Sequence, residues 1–385
     1  MLAKKRRFQG LVVVAILLLA MIGGLMPDPF VMPPPVRHPK PSAGVLGRLA
    51  DFFIGIRYYS DKNMNFAASA PILRGIAEYE IGESSSPRVW IGRNGHLFFF
   101  DEQAAAQSAG TIYRADQIRH FVDIAANLRS ELARHGAALV VAIPPNGQSV
   151  AVSDLPGWAK ARSPLEYDLA MDELRQLGVT TVDLKTPLAA KSLSERVYRQ
   201  TDTHWSWRGA VAAFNLVVAG AGHPEWQADP AAVLGPVVVI EAGDLARMMG
   251  IQRFLTDSDA AILPGPMDNW RPLGILHSPP YAGVFDAYAF ARKGADSGAR
   301  VLVLGDSFTE HFWLPLFERT DIERIGWIHH GKCTFDYADV VRFNPTLVIL
   351  VPTEREMPCP LTAWPLGLPA NSGHEPDRAG ELRQQ

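Results

Sequence analysis

Four apolar residues run unbroken at Val301-Leu302-Val303-Leu304, and Gly305-Asp306-Ser307 stops them at once. No polar residue in the run faces water, so both sides of the segment need cover, as in a strand buried inside a sheet. Gly305 suits a tight turn at the strand's end. Ser307 then stands where the strand stops and a helix can begin. That position exposes its oxygen and surrounds it with backbone amides. A hydroxyl is a weak nucleophile at neutral pH without a base beside it. The candidate for that base lies in Thr201-Asp202-Thr203-His204-Trp205, where a carboxylate precedes a histidine by two positions.

The rest of the chain supplies a frame for these two stretches. Apolar spacing predicts helices over 115–134, 164–177 and 206–219, the last with Ser206 as N-cap, and a short helix over 337–342. Strands are expected over 138–143, 179–184, 325–329 and 347–351. Residues 89–100 read as a hairpin in which Asn94-Gly95 turns between two apolar runs. Strands separated by helices imply an α/β fold, a parallel sheet covered on both faces in three α/β/α layers. Sites in such sheets form at the carboxyl ends of strands, where Ser307 stands. Residues 220–300, rich in Gly and Pro, are expected to be an insertion that covers one side of a site.

The amino terminus bears on the compartment. Lys4-Lys5-Arg6-Arg7 precedes an apolar run over 11–26 that carries no charge. Counted from Phe8, the run reaches the roughly 17–25 residues that a membrane span needs. The basic flank keeps that end in the cytoplasm. No clean small-x-small cleavage site precedes Pro27, which favours an uncleaved anchor over a cleaved signal peptide. The expected order is therefore a basic tip (1–7), a transmembrane signal-anchor helix (8–26), a proline-rich linker and lead-in (27–84), the main domain (85–357, with its insertion at 220–300) and a flexible tail (358–385). A net charge of -3 lacks the electrostatic footprint of a nucleic-acid binder. Cys333 and Cys359 show no metal-ligand spacing; they fit either a disulfide in an exported domain or two buried thiols.

Ser307, His204 and Asp202 together make an acyl-transfer set: nucleophile, general base, and the carboxylate that fixes the base's tautomer. Two apart in an extended segment, Asp202 and His204 point to the same side. Taken singly each motif is weak, since Gly-Asp-Ser occurs in ordinary turns and a lone His is more often structural. Asp306 is read as turn chemistry or a helix cap. The Ser307 amide is the expected oxyanion donor. Asn146, just past a strand end, is a candidate second donor, and its plain alternative is a loop cap. Trp205 is a candidate for stacking on a sugar, and its plain alternative is core packing. His311, His329 and His330 show no ligand spacing, so neither a metal site nor a cofactor is expected.

At these residues the chain resembles the SGNH-hydrolase-like exopolysaccharide O-acetyltransferases, the group that contains the alginate acetylation proteins AlgJ and AlgX. Three blocks carry the resemblance: Trp90-Ile91-Gly92-Arg93-Asn94-Gly95-His96-Leu97-Phe98, Asp202-Thr203-His204-Trp205, and Gly305-Asp306-Ser307-Phe308. Gly243-Asp244-Leu245 and Asn344-Pro345 also fit, and the similarity covers roughly residues 85–357. Asp-x-His precedes the serine here, whereas ordinary members of the wider hydrolase superfamily place the serine first. The resemblance implies an SGNH-like sheet and an acetyl-serine intermediate at Ser307, with His204 as base and Asp202 as its partner. It also implies a polysaccharide acceptor and an acetyl donor that is a multispanning membrane acyltransferase. With the anchor, this places the protein in the inner membrane as a single-pass chain with its catalytic domain in the periplasm. His96 departs from the Trp usual in the first block, and nothing after Pro358 looks like a carbohydrate-binding module. The polymer stays open. So do two other readings, an acetylesterase using the same three residues and a non-catalytic polysaccharide-binding or assembly scaffold.

Overall fold

The computed structural model describes residues 14, 69–155, 159, 164–295 and 298–370. In chain order its main elements are α1 (Ser69–Glu80), β1 (Val89–Ile91), β2 (Leu97–Phe99), α2 (Ala115–Arg134), β3 (Ala138–Ala142), α3 (Glu166–Gln176), β4 (Thr180–Val182), α4 (Trp207–Gly220), β5 (Leu234–Glu241), α5 (Asp244–Met248), β6 (Thr256–Ile262), β7 (Trp270–Pro272), β8 (Tyr288–Arg292), β9 (Arg300–Gly305), α6 (Ser307–Phe317), β10 (Arg324–His329), α7 (Tyr337–Phe343) and β11 (Leu347–Leu350). Of the described residues, 69–85 with Met249–Phe254 belong to one compact unit, in which Ser85 Oγ donates to the Met249 carbonyl at 2.9 Å. Ser86–Met248 with 255–370 belong to the other.

The second unit is built on a seven-stranded sheet of order β4-β3-β11-β9-β10-β8-β7. Strands β4, β3, β11, β9 and β10 are parallel. The run at 301–304 lies at the centre of the sheet, between β11 and β10, with all four residues buried. Alternation along a strand sends its side chains to opposite faces. Leu302 and Leu304 join the core formed with Phe121, Leu128, Met171 and Phe343 of α2, α3 and α7. Val301 and Val303 join the core formed with Phe214, Val217, Phe312 and Trp313 of α4 and α6. Helices thus cover both faces, and the three layers are present.

The sheet is mixed, however, and not wholly parallel. Strand β8 runs antiparallel to β10, and β7 antiparallel to β8. Both come from the 220–300 segment. In β8 buried and half-buried residues alternate, as suits an antiparallel strand solvated on one side. Pro272 sits in the edge strand β7, where a missing N–H does least harm. The same segment forms a second antiparallel pair, β5 with β6. A single covering insertion is therefore too simple a description of 220–300.

Strands β1 and β2 pair as a hairpin, and Asn94 and Gly95 both take the left-handed conformation that the turn requires. A disulfide joins Cys333 to Cys359. Beyond Pro358, where a fraying tail is expected from sequence, Cys359, Ala363 and Leu368 are buried in the α2-side core. The covalent link and this apolar footing hold the segment down as far as Leu368. The expected signal-anchor at 8–26 lies outside the described residues apart from Val14. Among the described residues no helix is long and apolar enough to cross a membrane.

Candidate active site

Ser307 opens α6 directly after β9. The reason for glycine at 305 is space, not turn conformation: Gly305 has no positive φ, and a Cβ there would overlap the Thr309 hydroxyl. Asp306 is the helix cap. Its Oδ1 accepts from Phe308 N at 2.9 Å, and its Oδ2 accepts from Thr353 N at 2.8 Å, past the end of β11. The turn that carries Ser307 is therefore fixed to the neighbouring strand. As the first residue of a helix, Ser307 keeps an amide with no intrahelical acceptor.

Asp202 and His204 sit at the tip of a narrow loop. Arg199 N donates to the His204 carbonyl at 3.2 Å and Ser206 N to the Val197 carbonyl at 2.9 Å, closing the loop's neck. Ser206 then caps α4 by accepting from Gly209 N. At the tip, Asp202 Oδ1 accepts from the His204 amide at 3.0 Å and meets His204 Nδ1 at 2.6 Å. Burial works to raise the Asp202 carboxyl, but the hydrogen bond and charge of His204 overturn this and bring it down to about 2. With Nδ1 occupied, Nε2 has no partner among the described residues. The imidazole packs on Phe308, ring centroids 5.0 Å apart, so the loop meets α6 at the residue after Ser307. The Ser307 hydroxyl makes no hydrogen bond among the described residues, with His204 or any other group.

The loop is held from the 220–300 segment, expected from sequence to be a cover. Asp257 Oδ2 accepts from Thr201 N at 2.7 Å and from Thr201 Oγ1 at 2.8 Å. Asp259 Oδ1 accepts from Trp207 N at 3.0 Å, while its Oδ2 pairs with Arg199 Nε at 2.8 Å. Asp244 Oδ1 accepts from Thr203 N at 2.8 Å and its Oδ2 from Thr203 Oγ1 at 2.6 Å. Three aspartates from β6 and α5 thus fix the base loop by backbone and hydroxyl contacts. The β1–β2 hairpin adds Leu97 N, donating to the Gln200 carbonyl at 2.8 Å. Only Gly243-Asp244 carried a hint in the sequence.

Two of the proposed residues are placed elsewhere. Trp205 is fully buried, stacked on Trp313 at 6.1 Å and edge-on to Phe308 at 5.1 Å, so its ring belongs to the core and offers no face to a sugar. Asn146 is buried, and its Nδ2 donates to Gln107 Oε1 at 3.2 Å and Ser108 Oγ at 3.1 Å. That amide is spent on a helix beside the strand end and is not free to serve an oxyanion.

Glu354 and Arg355, which by their place after the last strand would be expected to be a solvated pair, are both withdrawn from solvent. The Arg355 guanidinium lies 5.4 Å from the centroids of both Phe99 and Phe308, a largely buried positive charge beside the residue that follows the nucleophile. Its neighbour Glu354 is fully buried. Burial pushes its carboxyl up to about 7, against hydrogen bonds from Asn146 N and Ser149 Oγ, each at 2.7 Å.

A second histidine–carboxylate group lies under the nucleophile turn. His330 Nε2 is 3.6 Å from Asp306 Oδ2 and 3.3 Å from Glu356 Oε2. Burial lowers the His330 imidazole, but the two carboxylates outweigh it and raise it to about 9. Lys332 N donates to Nδ1 at 3.1 Å, which asks for a lone pair there and resists full protonation. Two carboxylates against one backbone bond leave the direction upward. The groups Asp202, His204, Asp244 and Asp306, His330, Glu356 each bring three possible ligand atoms within 4.8 Å. In the first, Asp202 is bonded to His204 and Asp244 to Thr203; in the second, the imidazole lies between the two carboxylates; neither is read as a metal centre.

Residues 89–261 match the family described as SGNH hydrolase-like domain, acetyltransferase AlgX. Over that stretch, less than half of the chain, the protein is similar to SGNH hydrolase-like domains of the AlgX type. The matched stretch contains Asp202, His204 and Asp244 and stops short of Ser307. The chain is 28% identical over 176 residues to the probable alginate O-acetylase AlgJ of Pseudomonas putida, a match spanning 45% of this chain and 43%, less than half, of that relative. Among solved structures it is similar to a DHHW family protein from Eubacterium siraeum, at 15% identity over 69% of this chain and 90% of that one, TM-score 0.50, a likeness of fold. The O-acetyltransferase domain of Pseudomonas putida AlgJ matches at 17% identity over 70% and 92%, TM-score 0.45.

Proposed function

We propose that the domain transfers acetyl groups to hydroxyls of a polysaccharide outside the cytoplasm, through an acetyl-serine at Ser307. The observation that carries the reading is the His204 imidazole: Asp202 holds its Nδ1 at 2.6 Å and leaves Nε2 open, on a ring packed against the residue after Ser307. In this scheme Nε2 takes the Ser307 proton as Oγ attacks the acetyl carbonyl. The Ser307 amide steadies the oxyanion, and the proton passes to the leaving group. A sugar hydroxyl then attacks the acetyl-serine with the same base. The Ser307 hydroxyl and the imidazole are not hydrogen-bonded to each other, and the scheme requires them to come together when substrate binds. The family of the 89–261 segment supports acetyl as the group carried, and the named relative supports an alginate-like acceptor. The donor on this reading is a multispanning acyltransferase in the inner membrane, to which the amino-terminal run anchors the chain.

The test is an acetyl-ester assay with and without an oligosaccharide acceptor. Acetylated oligosaccharide, lost in Ser307→Ala, supports transfer. Free acetate alone, with no acetylated sugar, makes the domain an esterase using the same residues. Unchanged polymer acetylation in cells carrying Ser307→Ala leaves only the scaffold reading.

A further inference from the structure

His204 faces a second carboxylate besides Asp202. Asp244 Oδ2 lies 4.0 Å from His204 Nδ1 and accepts the Thr203 hydroxyl proton at 2.6 Å. Because that proton is committed to Asp244, the Thr203 oxygen turns a lone pair toward His204 Nδ1, 3.3 Å away. Nδ1 then meets two acceptors, Asp202 Oδ1 and Thr203 Oγ1, and each asks it to carry a hydrogen. The lone pair is left on Nε2, the nitrogen the reaction needs. The backbone fixes this arrangement. Gly243 N donates to Thr201 Oγ1 at 2.9 Å and Asp244 N to Asp202 Oδ2 at 3.4 Å. A Cβ at Gly243 would overlap Asp202 itself.

We propose that Asp244 is a positioning residue for the base: acting through Thr203, it locks the imidazole in the tautomer that presents Nε2 to the nucleophile. The inference rests on His204 being the base. The groups packed around the imidazole are Asp202 and Asp244 on one side and the Phe308 and Phe312 rings on another. Arg199 lies behind Phe312, its guanidinium 5.4 Å from that ring, and is paired with Asp259. In an Asp244→Asn protein the amide nitrogen cannot accept from Thr203. The hydroxyl is then free to donate to Nδ1, which favours the wrong tautomer.

The test is a double-mutant cycle on acetyl-ester turnover by the whole chain, with thermal melting of each variant alongside. Asp244→Asn should lower kcat by about tenfold or more, with a smaller change in KM, and should shift the acid limb of the pH–rate profile to lower pH, since a negative charge has gone. Thr203→Val alone should cost less. The double variant Thr203→Val with Asp244→Asn should be faster than Asp244→Asn alone, because the misdirected donor is gone. Additive losses, or an Asp244→Asn enzyme that melts lower but turns over normally while folded, would overturn the proposal. If His204→Ala retains activity, it is the reading of the base that fails, whatever Asp244 does.

Discussion

Two histidines in this domain each sit among a pair of carboxylates, and they are built for opposite ends. His204, 21% exposed in its side chain, meets Asp202 through Nδ1 and keeps Nε2 open. His330, 1% exposed, turns Nε2 to Asp306 and Glu356 and gives Nδ1 to the Lys332 amide. The residue types match almost atom for atom; the difference lies in which nitrogen is left over. An imidazole with a free nitrogen at a cleft can move a proton. One shut away from solvent beside two carboxylates can only balance charge. Here it balances Asp306, the cap of the helix that begins with Ser307. Burial raises that carboxyl and the His330 charge brings it down to about 2, so the acid stays ionised and able to cap.

Exchange of roles at these two positions is the direct way to break this contrast. His204→Ala should reduce acetyl-ester turnover by about 100- to 10,000-fold with little change in melting temperature. His330→Gln should show the reverse pattern. It leaves Asp306 and Glu356 without their imidazolium partner and should destabilise folding by about 3–5 kcal/mol in urea titrations. Turnover per folded molecule should fall far less than in His204→Ala. If instead the His330 variant melts normally and loses turnover, the contrast drawn here is wrong.

A pH series sharpens the same point. Because the folded imidazole of His330 is raised to about 9, its contribution to stability is fully present below about 6.5, the ordinary histidine value, and is lost as pH rises through about 9. Urea midpoints measured from pH 6 to 10 should decline across that window and flatten in His330→Gln. A smaller effect belongs to Glu354. Its folded carboxyl, raised to about 7, favours folding below about 4.3 and loses that advantage as pH climbs through 7. Glu354→Gln should remove this slope, which gentle melts between pH 4 and 8 would reveal.

The sequence made the local half of this architecture readable. The run at 301–304, the Asn94-Gly95 turn and the Ser206 cap depend on neighbours within a few positions, and the structure has each of them. Asp202 and His204, two apart, do meet through Nδ1. What was hidden depends on contacts between distant segments. Asp257 and Asp259 lie in a stretch with no strong period, yet they hold Thr201 and Trp207 more than 50 positions away. His330, Asp306 and Glu356 come from the ends of three different segments, and no spacing rule links them. Trp205 misled for the same reason: a tryptophan beside a histidine looks available, and only packing against Trp313 shows that it is not. The antiparallel edge of β8 and β7 escaped because its strands are short and only half buried.

Gly243 touches Asp202 with nothing but backbone. A hydrogen atom there works as a gauge block, setting how far the acid can retreat from its histidine. A methyl group would push the two carriers of the loop apart. Position 243 is therefore the place, 39 residues from the histidine, where the smallest possible edit to the chain would be read out at the imidazole.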